Sequence, residues 1–489
     1  MQFDVCIIGG GVIGCAIARE LARYELTAIV LEKHSDVAEG TTKANSAIVH
    51  AGYDAKPGSH KARTNVAGNR VFEAWCRELD VPYQRNTSLV VAFSESDLPA
   101  LSELLERGRL NGVAGLSILN EAELRECEPN IGPAARGALL AATGGICCPY
   151  ELTIALMTHA VINGVQLELN CEVTQVARQP AGGFQISTSK GTYQSRILIN
   201  AAGVYADVIN NQLSEDQFKI IARRGEYWMI DKTYGSAFNA TIFQLPTAMG
   251  KGVLVTPTVE GTVILGPTAE DIEDREDVRT TARGLDEILR VAGLSWADIP
   301  RRSFITAFAG IRAHADRNDF ILGEAADVPG LINAAGIESP GLTAAPAIAV
   351  ELAELAADRL NAKLKTEFLP PWETPPRFRF LDIGQKRAAI AADPAFGRVI
   401  CRCEQITEAE IRAAIRRPVG ATTVDGVKRR TRAGMGRCQS GFCAPRVLDI
   451  LSEELHVSPL ELTKFGGESK ILTGRVGEGT GIFGGECHV

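Results

Sequence analysis

Two sets of residues in this chain have types and spacing suited to redox chemistry. Near the start, Val5-Cys6-Ile7-Ile8-Gly9-Gly10-Gly11-Val12-Ile13-Gly14 runs from an apolar strand into G-x-G-x-x-G. Glycines at this spacing permit a tight turn and the close approach of a pyrophosphate to a helix N-terminus, whose dipole favours the anion. Near the end, Cys401-Arg402-Cys403 and Cys438-Gln439-Ser440-Gly441-Phe442-Cys443 supply four thiolates. Their spacing lacks the paired C-x2-C knuckles of zinc ribbons. Four thiolates without histidine satisfy a [2Fe-2S] cluster, with zinc as the alternative. A dinucleotide site combined with an iron–sulfur centre implies an enzyme that takes two electrons from a substrate and passes them on singly.

Elements that position the first set are legible around it. A strand over 4–8, a helix to about Tyr24 and a strand over 27–31 form a β-α-β unit. Glu32 closes the second strand about 23 residues after Gly9, where such a unit needs a carboxylate for ribose hydroxyls. Buried strands over 196–203 and 331–336 end in small residues, as if meeting a ligand edge-on, and Pro340-Gly341-Leu342-Thr343 opens an Ala-rich helix to about Leu364. Segments 225–231 and 252–266 have strand and hairpin character. The order predicts an α/β protein: a Rossmann-like dinucleotide domain with an inserted β-rich, α+β substrate domain and a small α-rich C-terminal cysteine module. The dinucleotide-binding parts are expected at about 1–80, 145–215 and 305–368, and the substrate domain at about 81–144 and 216–304. Leu369-Pro370-Pro371-Trp372-Glu373-Thr374-Pro375-Pro376 reads as a semi-rigid spacer. It opens a linker over 369–395, followed by the module at 396–450 and a C-terminal tail at 451–489, glycine-rich over 474–489, that carries Cys487 and His488.

Composition narrows the function classes. The 489 residues are 45% hydrophobic and 22% charged, ordinary for a globular protein. No apolar run reaches the roughly 20 residues that cross a bilayer, and Met1-Gln2-Phe3-Asp4 enters the first strand without a basic n-region, so no signal peptide is expected. Twelve cysteines then point to a reducing compartment, with Cys6, Cys15, Cys76 and Cys171 as core residues. The expected location is the cytoplasm, with any membrane association made through partner subunits. The net charge is −8, yet 398–449 holds 11 Lys/Arg against 5 Asp/Glu, a balance of +6 that leaves about −14 elsewhere. The acidic remainder argues against nucleic acid. Lys428-Arg429-Arg430-Thr431-Arg432 and Arg437 are expected to offset the charge of the thiolates, raise the potential of a cluster there and present a docking face to an acidic partner.

Taken together, 1–368 resembles the FAD-dependent D-amino-acid-oxidase-like (DAO) superfamily, and within it the glycerol-3-phosphate and L-2-hydroxyglutarate dehydrogenases. The resemblance is carried by Gly40-Thr41-Thr42-Lys43-Ala44-Asn45-Ser46-Ala47-Ile48-Val49-His50-Ala51-Gly52-Tyr53, Arg224-Gly225-Glu226-Tyr227, Gly252-Val253-Leu254-Val255-Thr256-Pro257-Thr258 and Gly310-Ile311-Arg312. The module resembles the bacterioferritin-associated-ferredoxin-like (BFD-like) [2Fe-2S] domain, through Arg430-Thr431-Arg432-Ala433-Gly434-Met435-Gly436-Arg437-Cys438-Gln439. The resemblance implies FAD and a [2Fe-2S] cluster as cofactors. Gly9, Gly11 and Gly14 would cradle the pyrophosphate and Glu32 the adenosine ribose. Thr41, Thr42, Asn45 and Ser46 would run along the pyrophosphate, and Val173 would meet the adenine through its backbone. Ala201-Ala202-Gly203 would form the close-approach turn, and Gly341, Leu342 and Thr343 would set a helix N-terminus at the flavin O2 edge. Cys401, Cys403, Cys438 and Cys443 would hold the cluster.

The resemblance also implies the catalytic pair. His50 matches the family's histidine by the flavin and is the candidate base, a role that suits imidazole; the competing reading is a core histidine bonded to backbone. Arg312 is the candidate anchor for an anionic group, because guanidinium offers a bidentate fork; the competing reading is a structural ion pair. Tyr53, Lys61, Arg63 and Lys251 are weaker candidates for the pocket, and His314 stands two residues from Arg312. The expected reaction is oxidation of a small anionic 2-hydroxy compound, sn-glycerol 3-phosphate first and L-2-hydroxyglutarate second, with electrons leaving through the cluster to a second redox subunit, a flavoprotein or an iron–sulfur protein. An amine or imino-acid dehydrogenase and an electron-relay subunit are the rivals.

Overall fold

The computed structural model describes residues 1–246 and 252–474. Lys251, Cys487 and His488 therefore lie outside the described residues. The chain divides into two compact units, Met1–Thr374 and Pro375–Val489.

The first unit rests on two large sheets. In the first, strand Gln2–Ile8 lies between Ala28–Leu31 and Gly191–Asn200, and all three run parallel. Gln166–Glu168 extends the parallel set on one side and Leu331–Ala335 on the other. Strands buried on both faces carry near-continuous apolar runs, and Ala28–Leu31 and Leu331–Ala335 are buried along their whole lengths. Helices Val12–Leu21 and Gly341–Leu360 pack on this sheet and on each other. The α/β fold expected from the sequence is the fold observed.

The second sheet has nine strands, all antiparallel neighbours except Thr241–Gln244 beside Ser88–Ala92. Its longest pairing joins Ile220–Ile230 to Phe304–Ala315, from Ile220 opposite Ala315 to Ile230 opposite Phe304. The predicted hairpin at 252–266 is present as Leu254–Pro257 against Val263–Gly266.

Three expected boundaries shift. Residues 304–315 were assigned with the dinucleotide domain, but their strand belongs to the second sheet, because its partner Ile220–Ile230 claims its backbone hydrogen bonds along the whole length. The linker expected over 369–395 is extended only through its prolines. Asp382 then caps a helix over Ile383–Ala392 by a reciprocal pair with Gln385, and the rings of Phe378 and Phe396 stack at 6.0 Å. The tail expected from 451 is folded as far as it is described: Leu462 is buried in the core of the second unit and Lys464 pairs with Asp425 at 2.7 Å.

The second unit is α-rich, as expected. Helices Glu408–Arg416, Val424–Thr431 and Ala444–Leu455 enclose a core that includes Ile411, Val427 and Leu451 together with Cys401 and Cys443.

Candidate functional site

The glycine loop forms a cradle that only glycine can make. Gly9 has φ +108° and a Cβ there would overlap the Ala201 carbonyl, so the 201–203 turn approaches it closely. At Gly14 a Cβ would overlap the Gly9 carbonyl, whereas at Gly11 it would meet only the Thr42 hydroxyl, at 3.5 Å. The Thr42 hydroxyl accepts from the Val12 amide at 3.1 Å, tying the 41–46 loop to the helix N-terminus. The Glu32 carboxylate is buried and accepts from the amides of Gly10 (2.6 Å) and His34 (2.9 Å). Each oxygen retains a lone pair for a ribose hydroxyl. The Cys171 amide donates to the Glu32 carbonyl at 2.8 Å, which brings Val173 to this end of the sheet. Ala202 and Gly203 start a short helical turn beside the same strand ends. This tight backbone concavity with a buried carboxylate fits the ADP half of a dinucleotide.

Two residues expected along the pyrophosphate also hold the loop's own backbone. Asn45 spends its amide group on the carbonyls of Thr41 and Thr42 and its oxygen on the Ala47 amide. The Thr41 hydroxyl donates to the Ile311 carbonyl at 2.6 Å. Both contacts fix the shape of the loop. Ser46, beside Asn45, is half-buried.

His50 is clamped on all sides. Its amide donates to the Thr343 hydroxyl at 2.8 Å, and its carbonyl accepts from the side-chain amides of Asn65 and Asn69, each at 3.1 Å. Its Nε2 lies 3.1 Å from the Ser339 hydroxyl, and its ring tilts against Phe243 at 5.7 Å. Both the Thr343 and Ser339 contacts come from the start of the Gly341–Leu360 helix, the element expected to carry Gly341, Leu342 and Thr343 to the flavin. The base candidate and that helix end are thus brought together. Asn65 and Asn69 were missed in the sequence, although two Asn four residues apart share one face of a helix; that face is buried here.

Arg312 sits on the same strand as Gly310, whose missing Cβ lets the strand abut the Ala44 carbonyl. The arginine is thereby held beside the 41–46 loop. Its Nη2 donates to the Thr268 carbonyl at 2.7 Å, while its buried Nε has no hydrogen-bond partner. A buried donor without a partner costs stability and is compensated when an anion fills the place. Gly225 opposite leaves room for the guanidinium: a Cβ there would stand 3.0 Å from Nη2.

His314 is two residues on, hence on the same strand face. Its Nδ1 lies 2.8 Å from Glu338, which also pairs with Lys61 at 2.8 Å. Burial would raise the Glu338 carboxyl, but the His314 hydrogen bond and the Lys61 charge hold it down to about 2. Lys61 is thus a partner of Glu338, and Arg63 pairs with Glu351 on the exposed side. Tyr53 is buried in a core cluster with Leu101, Leu104 and Phe243, the ring that also packs on His50, and its buried hydroxyl has no hydrogen-bond partner.

The four module cysteines meet two by two. Cys401 faces Cys443, and its thiol is lowered to about 6, first by the Cys443 hydrogen bond and then by the amides of Gly434 and Glu404. Cys403 faces the Cys438 amide and thiol. At Gly436 a Cβ would overlap the Cys403 side chain, so glycine lets the two ligand loops close. Among the described residues no three metal-binding side chains converge on a single ion. These four thiols would hold a [2Fe-2S] cluster, whose all-cysteine ligation they satisfy.

The basic stretch of the module is not the open face expected. Arg429 and Arg432 are buried, Arg432 pairs with the buried Glu404 at 3.4 Å, and Arg430 donates to the carbonyls of Val419 and Gly426. Helical periodicity turns Arg429 inward and the left-handed residue Arg432 ends the helix, so these charges serve the interior.

Comparison with known proteins agrees with this division. Residues 4–355 match the FAD dependent oxidoreductase family, and 399–453 match the BFD-like [2Fe-2S] binding domain. The chain is 50% identical to a glycerol 3-phosphate dehydrogenase of Caloramator mitchellensis over 97% of this chain and 98% of that one. It is 33% identical to an L-2-hydroxyglutarate dehydrogenase of Indibacter alkaliphilus over 60% of this chain and 74% of the relative. A solved structure of dithionite-reduced L-alpha-glycerophosphate oxidase from Mycoplasma pneumoniae with FAD bound superposes with a TM-score of 0.72 at 31% identity, covering 77% of this chain and 99% of the oxidase.

Proposed function

The chain belongs to the FAD-dependent oxidoreductase family and carries a BFD-like [2Fe-2S] binding domain, and from that premise we propose that it oxidises sn-glycerol 3-phosphate to dihydroxyacetone phosphate and exports the electrons to a separate acceptor. The observation that carries this reading is coverage. The Caloramator glycerol 3-phosphate dehydrogenase matches across both units, whereas the oxidase and the hydroxyglutarate dehydrogenase match less of the chain. FAD supplies the hydride acceptor and the [2Fe-2S] centre a one-electron exit.

The protein's own residues do the rest. Arg312 anchors the phosphate through the donors that Thr268 leaves open, which fixes the secondary alcohol relative to the cradle. The His50 ring takes the hydroxyl proton as the carbon is oxidised. Thr343, Asn65 and Asn69 hold the His50 backbone and Ser339 its ring, so little reorganisation is needed when the proton moves. Glu338 keeps the Lys61 ammonium and the His314 ring occupied beside the anchor. Gly9, Gly11, Gly14 and Glu32 hold the ADP half, and Cys401, Cys403, Cys438 and Cys443 the cluster.

Anaerobic titration of the purified protein with sn-glycerol 3-phosphate, L-2-hydroxyglutarate and L-proline tests the assignment. Bleaching of the flavin band by glycerol 3-phosphate at the lowest concentration is the expected result. Bleaching by L-2-hydroxyglutarate alone would move the substrate to a carboxylate, and bleaching by proline alone would make the enzyme an imino-acid dehydrogenase. No bleaching by any of the three would leave an electron-relay subunit.

A further inference from the structure

The second unit carries a side chain that its own packing does not explain. Phe442 stands between Gly441 and the ligand Cys443 and is 82% exposed, the highest value for any large hydrophobic among the described residues. Its loop is firmly held. Gln439 and Ser440 both take positive φ, at 46° and 73°, a left-handed conformation that costs energy outside glycine. The Gln439 side chain donates to the carbonyls of Met435 and Gly436, and the Gly441 amide to that of Cys438. A rigid loop thus presents an aromatic ring to solvent beside two of the four thiols.

The exposed charges on the two ligand loops and at the start of the following helix are cationic. Arg402, between Cys401 and Cys403, is exposed, as are Arg437 before Cys438 and Arg446 in the first turn of the following helix. Arg446 reaches Asp449 only at 3.6 Å. Within 401–403 and 434–446 there is no acidic residue, and Glu404 is turned inward onto Arg379 and Arg432. The inward-facing arginines 429 and 432 contribute nothing to this surface.

We propose that Phe442, together with the exposed Arg402, Arg437 and Arg446 on the ligand loops and the helix that follows, forms the docking face through which the chain delivers electrons to an acidic electron-accepting protein with an apolar recess for the ring. An exposed aromatic surrounded by charge has the composition of an interface anchor, and its neighbourhood to the ligand loop keeps the electron path short. Each docking event moves one electron: the reduced [2Fe-2S] centre loses one and the acceptor gains one, so two events follow the oxidation of each substrate molecule. The proposal rests on the electron export proposed above.

Phe442→Ala and Arg446→Glu test it in the full-length holoenzyme, with plastocyanin as the acidic one-electron acceptor and cytochrome c as a basic control. The first readout is binding: calorimetric affinity for reduced plastocyanin, which cannot accept an electron, should fall about 10–30-fold in Phe442→Ala. The second is kinetic: transfer to oxidised plastocyanin should slow to a similar degree and decline with salt in the wild type, with the opposite salt trend for cytochrome c. Flavin bleaching by glycerol 3-phosphate and the electron paramagnetic resonance signal of the reduced cluster should be unchanged in both variants. If wild-type flavin is not bleached, the functional reading fails and the face is not at issue. If flavin and cluster are reduced normally while binding and transfer in Phe442→Ala match the wild type, the docking face is elsewhere. Slower reduction of the cluster itself in Phe442→Ala would make the ring part of the inward electron path and overturn the proposal.

Discussion

The oxidoreductase body and the cysteine module assemble their sites in opposite ways. The module draws its four thiols from two short stretches, 401–403 and 438–443, and closes them where Gly436 abuts Cys403 and Gly434 abuts Ser440. The body draws on the glycine loop, the 41–50 segment, the Phe304–Ala315 strand and the start of the Gly341–Leu360 helix, and fastens His50 through four separate polar side chains. A site made of local loops tolerates little loss, because each ligand is indispensable. A site made of distributed supports should lose function by degrees.

The largest effect should come from the module. Replacing Cys443 by Ser is expected to abolish the iron–sulfur absorption and its resonance signal while the flavin spectrum and its bleaching by substrate survive. Loss of flavin together with the cluster would show that the two sites fold as one and break the contrast. His50→Ala comes next, with flavin reduction slowed by roughly 10²–10⁴-fold in rapid-mixing measurements, the usual size of a lost general base. A near-normal rate would move the proton to another group.

Those two experiments bear on residues that could be read from spacing and motif. The glycine loop, Glu32 and the cysteine pairs were legible because each is a short pattern with one physical purpose. The supports were not. Asn65, Asn69, Ser339 and Glu338 act through contacts across tens to hundreds of residues, and the types Asn, Ser and Glu are common at solvated positions. The fold was legible in its parallel strands, since these are apolar without interruption, but the ownership of 304–315 was not, because an alternating strand fits either sheet. The most instructive error is the basic stretch: charge can be counted along a sequence, but the direction a helix turns it, inward for Arg429, depends on packing.

Smaller effects sharpen the comparison. Arg312→Ala should chiefly raise KM, by roughly 10–150-fold if the anchor contributes about 1.5–3 kcal/mol, with kcat changed less. A fall in kcat at constant KM would assign Arg312 to the reacting centre. Asn65→Ala should cost less still, about 1 kcal/mol of stability, and slow flavin reduction only a few-fold, because Asn69 keeps its bond to the same carbonyl; a loss as large as that of His50→Ala would mean the supports are not redundant. Smallest is a pH effect. Glu338 is held down to about 2 from the ordinary 4.5, so it contributes stability above about pH 4.5 that is lost as the pH falls towards 2. Glu338→Gln should flatten that part of an acid-unfolding curve, and an unchanged curve would show that its contacts with Lys61 and His314 do not stabilise the carboxylate.

The strand Phe304–Ala315 has a consequence for how such an enzyme can change its diet. From Ile311 to Ala315 its odd residues are buried and its even ones, Arg312 and His314, are half-buried. Gly310, Arg312 and His314 share one face of the strand, so the face that abuts the Ala44 carbonyl also carries the proposed anchor. If Arg312 is the anchor proposed above, mutations at 312 and 314 should retune which acid group is accepted while the buried residues 311, 313 and 315 keep the strand in the core. A combinatorial library restricted to these two positions is the economical starting point for converting a phosphate-reading enzyme into a carboxylate-reading one.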